Sequence, residues 1–394
     1  MILPESLVID FPPISLSPVT DARHAWSALI LSPGERSDGD TLVRTFDEFE
    51  LGRALGSLSC IVPLTDPAAL DDDHAQALPA EQIVLLLPLQ CCTDPAPGAE
   101  LKRLRSHGFR LMADGVPAKA EVLSTTIYAV ASDGMTHLPP ALSALPGPHL
   151  AKGVDTPSRL TQCQRAGYAW FSGDYPLHPV LGAAPQDRNS RVILLELLGM
   201  VTSDTDTHEI EALLKRDPSL SYHLLKLVNS VSFSLTTRIT SFAYAIALLG
   251  RRQLQRWLQL LLYAQQKSDG TMNPLMARAA LRASLMEALC QKIGGGTENQ
   301  EHAFMTGMFS LLDALFGMPL AQILSPLHLA DEVEDALLAH NGWLGELLGI
   351  VEQSEQPPRP DFSERLTAAL LTPASYCRAL VQAWQWTIQV SRET

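Results

Sequence analysis

The sequence predicts two unlike domains, an α/β barrel-like one followed by an all-helical one, on three observations. Short apolar runs alternate with more polar, helix-like stretches through about residue 180, which is the pattern of an α/β architecture. From Asn189 onward, apolar residues recur at helical spacing only. Between the two patterns, Pro176, Pro179 and Pro185 with Gly182 punctuate the chain. The expected layout is therefore a first domain at 1–182, a linker at 183–188 and a second domain at 189–394.

Bulk composition narrows the function classes. The chain has 394 residues, of which 46% are hydrophobic and 18% charged, so both halves can bury a full core. No apolar run reaches the roughly 18 residues that a membrane span needs, and no membrane partner is expected. Glu5 stands where a secretory signal carries basic residues, and the six cysteines form no C-x-x-C pair. A cytoplasmic protein with reduced thiols is the expectation. Net charge is −14: 12 basic and 21 acidic residues precede Gln186, and 17 basic and 22 acidic residues follow. Neither half offers the basic surface that phosphate neutralisation requires, so no DNA or RNA partner is expected. Arg251-Arg252 with Arg256 is a local exception, read as a solvated first turn of a helix.

In the first half, strand-length runs occur at Val8-Ile9, Trp26 to Leu31, Ile61-Val62, Ile83 to Leu87, Phe109 to Met112 and Ile127 to Val130. The unbroken Ile83 to Leu87 run suits a parallel strand buried on both faces. Leu101 and Leu104 at i, i+3, stopped by Gly108, predict a helix between two of these strands. Asp71-Asp72-Asp73-His74 has no regular cation-cage spacing and reads as a solvated helix start. Thr136 to Gly153, rich in Pro and Gly, reads as an irregular connection standing in for lost barrel elements. A complete (β/α)8 barrel takes about 250 residues, so this one must be trimmed.

The order of these segments resembles an EAL domain, the barrel that hydrolyses cyclic di-GMP with two metals held by acidic residues at strand ends. The resemblance implies that Ser27, in Trp26-Ser27-Ala28-Leu29, replaces a metal-binding Glu. Pro63 falls where a metal-binding Asn is expected, and Leu86-Leu87 lie on a strand that would carry another Glu. Leu111-Met112-Ala113-Asp114-Gly115 keeps one member of an Asp pair, Asp114, and replaces the other with Gly115. Tyr128-Ala129-Val130 has no Lys where a catalytic one is expected, and Ser172 replaces the Gln of a Phe-Gln-Gly turn. Two divalent ions about 4 Å apart need several carboxylate oxygens, which Ser, Pro, Leu and Gly cannot supply. The barrel is expected to be degenerate and catalytically empty, with Asp114 a solvated carboxylate.

In the second half, Val192 to Leu198 is an apolar helix expected to end near Gly199. Asp206-Thr207-His208-Glu209 resembles a capping box for Ile210 to Lys215. Arg216-Asp217-Pro218-Ser219-Leu220 starts an amphipathic helix: Asp217 caps it, Pro218 suits its first position, and Asn229 closes it. Ser241 to Gly250 forms a short helix, and Arg251-Arg252-Gln253-Leu254 to Trp257-Leu258 begins the next. Asn273-Pro274 starts another, ended by Gly294-Gly295-Gly296. Helices at Leu329 to His340 and Leu344 to Val351 follow. After the rigid linker Gln356 to Pro360 comes a last helix pair split by Pro373, with Tyr376, Leu380, Trp384 and Trp386 packing in the core.

Asp217-Pro218-Ser219-Leu220, Leu227-Val228-Asn229-Ser230, the Ser241 to Gly250 block and Arg251-Arg252 with Trp257 are together similar to the HDOD domain. This is a helical signalling module related to HD-type phosphohydrolases. The resemblance extends through Ala303 to Leu315, where catalytic HD enzymes carry His-Asp after Gly-x-x; here Gly307-Met308-Phe309 is followed by Ser310-Leu311. Leucine cannot ligate a metal. A displaced site from His302, His340 and Asp313 remains an alternative, beside their reading as surface or end-cap residues.

Nearly the whole chain resembles EAL–HDOD two-domain bacterial signalling proteins. The resemblance implies a signal-transduction protein that works through other signalling proteins, with no cofactor, no bound metal and no catalysis. Alternatives are a cyclic di-GMP receptor or phosphodiesterase, and an HD-type metal phosphohydrolase. Gly294-Gly295-Gly296 follows a helix and lacks an adjacent Lys-Ser/Thr, so it makes no phosphate loop.

Overall fold

The structure, a computed structural model, describes residues 11–32, 38–117, 123, 125–133, 145–178, 185–202, 205, 207–214, 254–256, 258–263, 273–327 and 329–393. Its first part is a closed barrel of eight strands in sequential order. They are β1 (Ser15–Thr20), β2 (Trp26–Ser32), β3 (Ser59–Pro63), β4 (Ile83–Pro88), β5 (Arg110–Asp114), β6 (Ile127–Ser132), β7 (Leu150–Ala151) and β8 (Trp170–Phe171). β1 is antiparallel to β2 and closes the barrel against β8, while β2 to β8 run parallel. Two strands escape the sequence reading. β1 contains Pro18 and two serines, and β7 is a two-residue strand inside the Pro/Gly-rich stretch expected to be irregular. The barrel is therefore trimmed in strand length, not in strand number.

Alternation along the strands builds two apolar layers. Val19, Ala28, Ile61, Val84, Leu86, Met112, Ala129, Ala131, Leu150 and Trp170 fill the interior. The opposite set, including Leu16, Leu29, Leu31, Val62, Leu85, Leu87, Leu111 and Val130, packs outward against helices. These helices are α1 (Gly39–Glu48), α2 (Leu51–Leu55), α3 (Asp72–Ala77), α4 (Leu89–Thr93), α5 (Gly98–Ser106) and α6 (Pro157–Arg165). As expected, the acidic run is a helix start: Asp71 caps α3 by accepting from the His74 amide.

The second part is all-helical. α7 (Pro185–Thr202) and α8 (Thr207–Leu214) lead into it, and helical residues recur at 254–256 and 258–263. α7 begins at Pro185, inside the expected linker, because proline is pre-set for a first helical turn. It also runs through Gly199 rather than ending there. Then follow α9 (Pro274–Lys292), α10 (Thr297–Phe309), α11 (Leu312–Phe316), α12 (Leu320–Leu324), α13 (Asp331–Ala339), α14 (Gly342–Ser354), α15 (Phe362–Ala368) and α16 (Pro373–Glu393). Asn273 caps α9 by accepting from the Leu275 amide, as its sequence predicts. Among the described residues no helix is long and apolar enough to cross a membrane.

The two parts share a core. α16 packs against α2, and the fully buried Trp384 lies against Trp26 at the start of β2. Tyr376, Leu380 and Trp384 are buried, as expected, while Trp386 is only partly covered and meets Phe304 edge-on. The boundary drawn near residue 182 is thus not a boundary in packing.

Candidate functional site

Two groups of polar side chains stand out, one at the barrel mouth and one where barrel and helices meet. At the mouth, β5 ends in Asp114, and the parity of Met112 in the interior layer aims Asp114 to the same side. Lys152, one residue past β7, brings its ammonium to 2.5 Å from Asp114 Oδ1 and 3.6 Å from Asp133 Oδ1. Asp114 is therefore ion-paired while its side chain stays 39% exposed. Sequence reasoning missed Lys152 because it sits in the stretch read as irregular.

The other mouth positions offer little to a cation. Pro63 ends β3, and Gly115 has a φ of 130° with Leu89 packed where a side chain would extend. Ser172 is 8% exposed, and its backbone bonds Ala151 and Val154. Gly173 holds φ at 143°, where the Val154 backbone leaves no room for a Cβ. Ser27 sits at an irregularity of the β1–β2 pairing. It is the residue skipped where the β1–β2 pairing shifts, between Trp26, which pairs with Thr20, and Ala28, which pairs with Val19, and its hydroxyl bonds the Ala25 carbonyl. An ammonium between two carboxylates does not fit a pair of divalent ions, so these residues do not make a two-metal set.

The second group lies around α9. Gly307 lets α10 approach so closely that a Cβ there would collide with the Ala283 backbone, which brings Ser310 beside Arg282. Arg282 donates from Nη1 to Ser310 Oγ at 3.1 Å and to Glu352 Oε1 at 3.1 Å. Its Nε and Nη2 form a fork on Glu355 at 2.6 and 3.0 Å. Arg278, one turn earlier, binds Glu355 Oε2 at 3.3 Å and Asp174 Oδ1 at 2.8 Å. Burial alone would lower the Arg282 pKa, but Glu355 and then Glu352 outweigh it and raise it. Burial would likewise raise the Glu355 pKa, but Arg282 and then Arg278 hold it below the usual carboxylate range. Both side chains are nearly covered, at 6% and 8% exposure, and both stay charged.

The positions read as HD equivalents are thus occupied by Ser310, bonded to a guanidinium, and Leu311, which is 4% exposed. The displaced alternative is not assembled. His302 Nδ1 lies 2.5 Å from Glu332, His340 Nε2 lies 3.0 Å from Glu352, and exposed Asp313 accepts from the Ala314 amide. Among the described residues no group of three His, Cys, Asp or Glu is placed to hold a metal ion. Asp217, Pro218, Asn229, Arg251, Arg252 and Trp257 lie outside the described residues.

Residues 191–322, which contain Arg282 and Ser310, match the family model of the HDOD domain. The chain carries an HDOD domain. An eight-stranded α/β barrel thus stands ahead of the HDOD match, the order of fold classes that the sequence resemblance implied. The cyclic di-GMP phosphodiesterase CdgJ of Vibrio cholerae is 28% identical over 249 residues, covering 62% of this chain and 56% of CdgJ. The Bacillus subtilis protein YuxH is 30% identical over 210 residues, 52% of this chain and 51% of YuxH. The chain thus spans about half the length of these curated relatives. Among solved structures, the EAL domain of Mycobacterium smegmatis DcpA is 17% identical at a TM-score of 0.34, covering 41% of this chain and 88% of that one. A Vibrio cholerae LapD S helix-GGDEF-EAL chain is 10% identical at a TM-score of 0.33, covering 41% and 53%.

One expectation is overturned here. The chain was expected not to be an enzyme, yet the 28% identical relative from Vibrio cholerae is named a phosphodiesterase, which points to an enzyme. The expectation rested on a residue-by-residue transfer of metal ligands.

Proposed function

We propose that this protein acts in cyclic di-GMP signalling as a relay, passing the state of its barrel to a protein partner read by the HDOD helices. The observation that carries this reading is the ion-pair group joining the two parts, buried at Arg278, Arg282 and Glu355 and 40% exposed at Asp174. Asp174 follows β8, Arg278 and Arg282 belong to α9, and Glu355 caps α14. The buried charges of Arg278, Arg282 and Glu355 tie α9 to the end of α14, because moving one partner strands the other, and Arg278 extends the group to Asp174 after β8. A change at the barrel thereby alters the helices without a flexible linker. Calorimetry of the full chain with cyclic di-GMP tests the input, and pull-down with and without the nucleotide tests the output. No heat of binding at nucleotide concentrations up to 1 mM, an order-of-magnitude ceiling of about −4 kcal/mol, would remove the nucleotide from the reading.

A second reading, hydrolysis of cyclic di-GMP, is favoured by the name of the Vibrio cholerae relative. Product analysis with Mg²⁺ or Mn²⁺ separates it from binding alone. The barrel-mouth residues, with an ammonium between two carboxylates, do not fit the two-metal set that such hydrolysis would draw on.

A further inference from the structure

We infer that Arg282 is the latch of the domain junction: its guanidinium locks the end of α14 against α9 and α10, and that end holds β1 beside the short β1–β8 closure of the barrel. β1 meets β8 only at Thr20↔Phe171, since β8 has two residues and β1 has six. Toward Ser15, β1 therefore runs past the end of its neighbour, leaving part of one edge without a β8 partner. The end of α14 reaches this stretch of β1 through a side chain: Ser17 Oγ donates to the Glu355 backbone oxygen at 3.2 Å. The side chain of the same Glu355 is forked by Arg282. Its position is thus fixed twice, by the barrel through its carbonyl and by the helices through its carboxylate.

The surrounding charges show why Arg282, rather than Arg278, is the latch. Arg282 reaches α10 through Ser310 and α14 through Glu352 and Glu355, so its guanidinium bridges two helices from a third. Arg278 reaches Glu355 and Asp174 only, and its buried Nη1 is left without a hydrogen-bond partner. Glu352 is further held by His340 Nε2 at 3.0 Å. Glu355 has no third cation on it among these recorded pairs. Removing the Arg282 charge leaves Glu355 facing Arg278 alone, and the α14 end is freed to leave β1.

This inference rests on the relay reading, but its test is independent of nucleotide. Hydrogen exchange is followed in the full chain, comparing wild type with Arg282→Met. The expected result is exchange at least tenfold faster across 15–20 and 172–175, with strand 83–88 unchanged. Unchanged exchange at 15–20, or an equal rise in 83–88, would overturn the latch. Arg282→Lys keeps the charge and loses the fork; it is expected to speed exchange at 15–20 at least threefold, and no change there would equally overturn it. If these responses appear while cyclic di-GMP gives no heat of binding, the latch stands and the nucleotide relay falls.

Discussion

Trp26, at the start of β2, stacks at a tilt on Trp384 of α16, ring centroids 4.6 Å apart. The final helix is thereby fastened to the barrel's first parallel strand, some 350 residues earlier in the chain. Ile14, Cys377 and Leu380 are buried in the same continuous core, and Arg378 of α16 pairs with Glu48 of α1 at 2.7 Å. Barrel and HDOD helices should therefore unfold together.

Truncating that tryptophan tests the shared core. Trp384 is fully buried, so Trp384→Ala is expected to cost about 3–5 kcal/mol. Thermal unfolding should shift as one transition in both variant and wild type. A lowered helical transition beside an unmoved barrel transition would show two independent bodies.

Acid should loosen the junction through Glu355. Its folded pKa lies below the ordinary 4.5, so its contribution is present above that value and lost as pH falls through the lower folded value. Stability against urea should fall from about pH 5 downward, as this linkage requires. Glu355→Gln should flatten part of that slope while lowering stability at pH 7. An unchanged slope would place the acid sensitivity elsewhere.

Cysteine reactivity gives an inexpensive check of packing. Burial pushes the Cys60, Cys92 and Cys377 thiols up to about 12, and raises Cys163 and Cys290 as well. All five are buried, whereas Cys91 is partly exposed. A neutral-pH thiol reagent should titrate one group in the native chain and all six on denaturation. More than one fast native thiol would contradict the buried layers.

Gly173 should tolerate no side chain. At a φ of 143° with Val154 backbone where a Cβ would project, Gly173→Ala faces conformational strain of about 1–3 kcal/mol plus the collision. The turn after β8 positions Asp174, so this variant should also weaken the Arg278 pair. Unaltered stability and unaltered exchange at 172–175 would argue against this turn geometry.

Much of this was legible from residues alone, and the gaps have physical causes. Ile83 to Leu87 reads as a doubly buried strand because nothing in it is polar, and it is β4. β1 hides because Pro18 and its serines lack strand propensity, and it is held by closure rather than by its own preference. Motif order alone cannot show that the β1–β2 pairing shifts at Ser27, because a bulge is a property of the paired strands. The junction left one clue. Arg278 and Arg282 stand one turn apart in the otherwise apolar stretch 274–283 of α9, and charges on a buried face need partners. Those partners lie about 70 residues later in Glu352 and Glu355, beyond the reach of local spacing.

The most direct test of the relay is hydrogen exchange of the full chain with and without saturating cyclic di-GMP. The account predicts slowed exchange at the barrel mouth around 114 and 152 together with altered exchange at 278–282 and 352–355. Protection confined to the barrel, with the α9 and α14 segments unmoved, would contradict it.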